Sequence, residues 1–334
     1  MASVPAPASS ALIRPLLTGV ASLCWVVQFF SVERVAPQVA PLFQATLAAA
    51  WAMLLLWTWT RLRGIPLFAQ GASLPVALWG GGLFAAQWGC LYLAVARAPA
   101  LDVALDYGVL GYLALRVVSP AAPAAPGRAG RWRPRFLESG KTAFCLLPAL
   151  AAAGLLAWRG LQTGGGEASA LILVAALCFA LDARLARRAG AGSEDTLRWR
   201  FYQLCVAALL LPMVAVVFSP TWNFNPGLDG LAAIGLQAAC GGLALPLLRG
   251  MAQLQTAAPQ PRQGRARGAQ ALGLLAAPLW IMGIALAAGG LGLASTPDRA
   301  QLAATALLAL AVVCRRQLAT TWMAGMRARR PGAG

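Results

Sequence analysis

What most constrains this chain is its repeated use of long uncharged apolar stretches. A helix that crosses a bilayer needs about 20 apolar residues to span a hydrocarbon core about 30 Å thick. Ten runs approach or exceed that length, at 15–32, 39–60, 73–96, 101–119, 141–158, 168–186, 201–219, 229–249, 268–293 and 300–317. Residues that stop helices divide them: Ala36-Pro37 and Pro41, Arg61-Leu62-Arg63-Gly64, the stretch from Pro120 to Glu138, Thr163-Gly164-Gly165-Gly166, Pro220 to Pro226, and Pro259 to Gly268. Of 334 residues, 59% are hydrophobic and only 11% charged, against about 25% charged in a soluble domain. The pattern predicts an all-α integral membrane protein with ten transmembrane helices. It excludes an ordinary water-soluble enzyme, a disordered chain and a fibrous protein. There is no His, which excludes His-based triads, His-ligated metal or haem, and acyl transfer by a membrane His.

The placement of the charges predicts the orientation. A net charge of +17 would point to nucleic acid in a soluble protein. With the N-terminus in the cytoplasm, 23 of the 27 Lys and Arg residues fall on the inner side, and only Arg34, Arg97, Arg159 and Arg299 fall outside. This asymmetry follows the positive-inside rule. It predicts an even helix count, both termini cytoplasmic and an inner-membrane location. The basic charge then reads as topology with a contribution from anionic lipid, and no nucleic-acid partner is expected. Residues 1–15 show no small-residue cleavage site after a short apolar core, so the first run is expected to be retained. Cys24, Cys90, Cys145, Cys178, Cys205, Cys240 and Cys314 lie in apolar runs with no CxxC spacing, and read as small buried hydrophobes.

The chain also repeats itself. Ala21-Ser22-Leu23-Cys24-Trp25 is echoed by Ala175-Ala176-Leu177-Cys178-Phe179, and Phe43-Gln44 by Tyr202-Gln203. Gly82-Leu83-x-Ala85-Ala86-x-x-Gly89 is matched by Gly235-Leu236-x-Ala238-Ala239-x-x-Gly242. The offsets are 154, 159 and 153 residues, in the same order along the chain. Five helices per copy is an odd number, so the second copy enters the membrane from the opposite side. The expected architecture is two inverted five-helix repeats, 1–160 and 167–334, with a solute site near their interface.

With this layout, Gly19 to Pro41 followed by Arg61-Leu62-Arg63-Gly64, and Glu167 to Gln203, resemble the drug/metabolite transporter superfamily, EamA type. The family's Pro is matched by Pro278-Leu279-Trp280 in the ninth run, without the Gly-Glu pair that usually follows it. The resemblance implies a secondary transporter that exports a small polar or amphipathic metabolite by alternating access.

The polar residues inside the runs are the candidates for chemistry, because each is costly in lipid and tends to face a cavity or a partner helix. Gln28, Gln44, Gln87, Gln203 and Gln237 are amides that donate and accept, which suits a polar or zwitterionic solute; the alternative is interhelical glue. Tyr107, Tyr202 and Trp280 are aromatic candidates for the same cavity. Asp106 lies about one turn inside the fourth run and must be hydrated, paired or protonated, which makes it a candidate for solute binding and for proton coupling. Its alternative is an interfacial charge paired with Arg97. Asp182 reads first as an interfacial charge near Arg184. Asp102 and Asp106 share a helix face and could hold Mg²⁺ against a diphosphate, as in a prenyltransferase-like membrane enzyme, but that chemistry needs a second carboxylate cluster. Pro148, Pro212, Pro246 and Pro278 are candidate hinges. No Walker sequence is present, so neither ATP drive nor a cofactor is expected. The leading expectation is a carrier rather than an enzyme. A channel or scaffold is the alternative, and the oligomeric state is open.

Overall fold

The computed structural model describes residues 10–68, 74–118, 140–162, 164–188, 193–218, 223–244, 284 and 298–328. Among these the chain is helical, without a strand: α1 (Ser10–Val35), α2 (Pro41–Leu62), α3 (Leu74–Val95), α4 (Ala100–Val118), α5 (Gly140–Gln162), α6 (Gly166–Arg188), α7 (Ser193–Phe218), α8 (Leu228–Gln237) and α9 (Arg299–Ala328). At Ala238–Ala244 the axis of α8 continues as a π-helix. Nine of the ten apolar runs thus coincide with helices. The run at 268–293, with Trp280 and Pro278, lies outside the described residues except for Ile284, and Pro246 lies outside them too.

The punctuation acts through identifiable chemistry. Pro41 opens α2, where a missing N–H costs nothing. Gly64 closes it at φ +67°, a left-handed conformation that only Gly adopts without strain, and its N–H reaches back to the Arg61 carbonyl. Gly164, at φ +76°, makes the turn between α5 and α6. Pro148 and Pro212 lie inside α5 and α7.

Small residues face inward and large ones outward. The buried face of α2 is Leu42, Gln44, Ala45, Ala48, Ala49, Ala52 and Leu56, while Leu54, Leu55, Trp57 and Trp59 are exposed. On α7 the exposed side includes Met213 at 68% and Val217 at 73%. A soluble monomer rarely exposes apolar surface on this scale. Four helices, Pro41–Leu62, Leu74–Val95, Gly166–Ala186 and Leu197–Phe218, are long and apolar enough to cross a membrane.

Two cores result. The larger joins α1, α2, α3, α4, α6, α7 and α8; the smaller packs Val109, Tyr112 and Leu113 of α4 against Ala149, Ala152 and Leu156 of α5 and Ala304, Leu308 and Ala311 of α9. The α1–α2 and α7–α8 connections meet in an isolated antiparallel bridge, Val39 with Phe224, with Ala40 N–H donating to Asn223 O at 2.9 Å and Asn225 N–H to Gln38 O at 3.1 Å.

Candidate functional site

Among the described residues, three groups of polar side chains lie in the larger core, apart from the charges at the start of α4. The first lies where α1, α2, α3 and α8 converge. Tyr92 Oη donates to Gln237 Oε1 at 3.2 Å, and Gln237 Nε2 donates to Gln44 Oε1 at 3.4 Å. Gln44 Nε2 is anchored on the Val39 carbonyl at 2.8 Å. The Gln28 amide lies beside the Tyr92 hydroxyl and against Gly241, where any Cβ would collide with it. All four side chains are buried, Gln44 and Gln237 completely. A buried amide that misses its partners costs about 1–3 kcal/mol, so the geometry is tightly specified.

The second group stands on α4. Gln87 Nε2 donates to Tyr107 Oη at 2.7 Å, and Trp25 lies against the Tyr107 ring with centroids 4.9 Å apart.

The third group joins α3, α6, α7 and the π-helix. Arg200 is buried at 8% exposure. Its Nε donates to Gly242 O at 2.9 Å, Nη2 to Gly241 O at 3.3 Å and Nη1 to Gln203 Oε1 at 3.1 Å. The guanidinium lies 3.9 Å from the Phe84 ring centroid, a cation–π contact. Gln203 passes the chain on, donating to Asp182 Oδ1 at 2.7 Å. Arg200 and the half-buried Asp182 thus share one network through Gln203, an arrangement that a tally of charges by side does not contain. The residue two positions earlier, Arg198, does stay at the surface, on the Pro66 carbonyl. The available signal was spacing: Arg200 and Gln203 are three apart on one helix face. Tyr92 was missed too, although it is one of only four Tyr residues and sits within the third apolar run.

The carboxylates of α4 also differ from expectation. Arg97 pairs with Glu167 at 2.9 Å, not with Asp106. Asp102 is taken by Arg159 at 2.9 Å and by the Gln301 amide, which leaves the Asp102–Asp106 pair unsuited to holding a metal together. Arg159 also bonds Asp298, the cap of α9. Burial alone would raise the Asp298 carboxyl; the Gln301 N–H and the Arg159 guanidinium outweigh it and hold it below the ordinary carboxylate range. Asp106 is buried at 9% exposure and, among the described residues, has no hydrogen-bond partner.

The structure therefore brings Gln28, Gln44 and Gln237 together, sets Gln87 with Tyr107, and puts Gln203 in a separate group with Arg200. A cavity of 310 Å³ is lined by Arg97, Glu167, Ala170, Leu171 and Val174, and by none of the amides.

No family model and no curated protein matches the sequence. The chain is similar to a solved crystal structure described only as that of a protein, at 19% identity and a TM-score of 0.59, over 92% of this chain and 98% of the other. At that identity the likeness establishes a shared fold over nearly the whole length of both chains.

Proposed function

We propose that this chain is an inner-membrane secondary transporter that exports a small polar or amphipathic metabolite by alternating access between two inverted five-helix repeats, like the drug/metabolite transporters it resembles. The observation that carries the reading is the buried Tyr92–Gln237–Gln44 network. It is drawn from both repeats, α2 and α3 from one and α8 from the other. Its two hydrogen bonds, at 3.2 and 3.4 Å, are at or beyond the long end of the ordinary range and are cheap to exchange for a solute's donors and acceptors.

Helix packing supports the repeat. Exchanging α1 with α6, α2 with α7 and α3 with α8 turns the α1–α8 contact into α6–α3 and the α2–α8 contact into α7–α3, and returns α2–α7 to itself; all five occur. Single residues follow the same rule. Gly89 faces Leu211, and Gly242 faces Ala52. Gly242 is 153 residues after Gly89 and Leu211 is 159 after Ala52, the offsets of the sequence repeat.

Contacts between connections agree with the alternation of sides that the ten-span topology requires, whichever side is cytoplasmic. Gln38 and Ala40 with Asn223 and Asn225, Arg97 with Glu167, and Arg159 with Asp102 and Asp298 all join segments that this topology puts outside. Arg198 with Pro66 joins two that it puts inside.

The test is counterflow of a panel of labelled polar metabolites in proteoliposomes. A carrier gives saturable counterflow for at least one solute, and Gln237→Leu lowers it at least about tenfold while the protein stays folded. Flux without counterflow would make the protein a channel, and no flux for any solute a scaffold.

A further inference from the structure

Where α4 and α9 begin and α5 ends, a charge cluster stands apart from the amide network. Arg159 spans Asp102 of α4 and Asp298 of α9, tying three helices with one guanidinium. Gln301 donates to Asp102 and exchanges two further bonds with Asp298, whose N–H reaches Gln301 Oε1 at 2.9 Å while the Gln301 N–H reaches Asp298 Oδ1 at 2.8 Å. The latch sits on the smaller core, which is made of these same three helices.

One turn along α4 from Asp102, on the same face, is Asp106. It is nine-tenths buried and, among the described residues, has neither hydrogen-bond nor ion-pair partner. The charges that act on it are Asp102 of its own helix, Arg159 of α5 and Asp298 of α9. Among the described residues, the other helices packed on α4 contribute no charge there; α1, α3 and α6 bring Trp25, Gln87 and Phe179 to Tyr107. An ionised carboxylate so placed has little water and, among the described residues, no donor to stabilise it. It would compete with Asp102 and Asp298 for a single guanidinium, and a guanidinium cannot discharge by losing a proton.

We propose that Asp106 is a proton site, and that its deprotonation draws Arg159 off Asp298 and so unlatches α9 from α5. The proton passes from the Asp106 carboxyl to water admitted as the latch opens; protonation reverses both events. The inference rests on the carrier reading and names that carrier's coupling ion and one of its gates.

Two measurements on the full-length protein in lipid nanodiscs test it without a solute. Infrared difference spectra follow the C=O stretch of a protonated carboxyl as pH rises. Hydrogen exchange of residues 302–308, corrected for its intrinsic pH dependence, follows the start of α9. Both are read above the ordinary carboxylate range, where Asp298 stays charged. In the unaltered protein the band disappears and exchange rises about tenfold over the same interval. Asp106→Asn, which keeps the shape of the neutral acid, loses its share of the band, leaving at most that of the carboxyl at Asp182, and stays protected at every pH. Arg159→Gln exchanges fast throughout. A band that Asp106→Asn leaves undiminished, or a pH-dependent rise that Asp106→Asn retains, overturns the proposal. Absence of counterflow with these results intact overturns the carrier reading alone; counterflow with a failed latch test overturns the proton site alone.

Discussion

Replacing Arg200 with Met keeps the length of the stem and its contact with Phe84 but removes the guanidinium. The variant then loses three hydrogen bonds, to Gly242 O, Gly241 O and Gln203 Oε1. Bonds from a charged donor are worth about 1.5–3 kcal/mol each, and the 3.3 Å bond to Gly241 lies at the weak end. Against the loss stands relief from burying a charge, which offsets much of it. Asp182, linked to Arg200 through Gln203, then loses its nearby cation, and stranding one charge of a buried pair costs about 3–5 kcal/mol when the pair is in direct contact. The balance is a destabilisation of about 3 kcal/mol, a factor of roughly a hundred in the unfolding equilibrium. The assay is reversible unfolding in mixed detergent micelles. If Arg200 served only to mark the inner face, Arg200→Met would change stability by about 0.5 kcal/mol or less. A loss under about 1 kcal/mol would refute the argument that the guanidinium holds the π-helix to α7.

The glycines divide by what faces them. Gly242→Leu meets Ala52 and is expected to cost about 1–3 kcal/mol in the same assay, whereas Gly82→Ala enters open space and should be neutral or stabilising by up to about 1 kcal/mol. Reporter fusions at Gly334 and within Gly164 to Gly166 should read cytoplasm and exterior; the same side for both would remove the ten-span topology. The Asp298 carboxyl is held below its ordinary value, so its tie to Arg159 contributes at and above neutral pH and is lost as pH falls below about 4. Thermal melts should therefore show an acid-side decline that Asp298→Asn reduces; since Asp298 is 44% exposed the effect is small, and an unchanged profile would mean that the tie does not stabilise the native state.

The candidate site was legible only in part. Amides in apolar runs stand out because each one costs free energy in lipid, and that cost picked out Gln28, Gln44, Gln87, Gln203 and Gln237 without any structure. Their grouping was not legible. Gln44 and Gln203 occupy matched positions in the repeat, yet Gln44 joins Gln237 and Tyr92 while Gln203 joins Arg200 and Asp182. The matched position of Arg200 in α2 is Pro41, so the two halves differ at the residue that organises the third group.

The sequence by itself determined where the described helices are, because that follows from transfer energies and backbone preferences summed over neighbours in the chain. Pro41 and Gly64 bound α2 whatever surrounds it. Tertiary structure alone decided which charges are internal. Arg198 and Arg200 lie two residues apart and count alike in a charge tally, but one ends on a surface carbonyl and the other inside the bundle. That difference is set by α3 and α8, whose glycines admit α7 and α2 at close range. The partners of Arg159 are 57 and 139 residues distant, beyond the reach of any local pattern. Pairing at such separations depends on how helices pack, and packing depends on side-chain shapes from several helices at once.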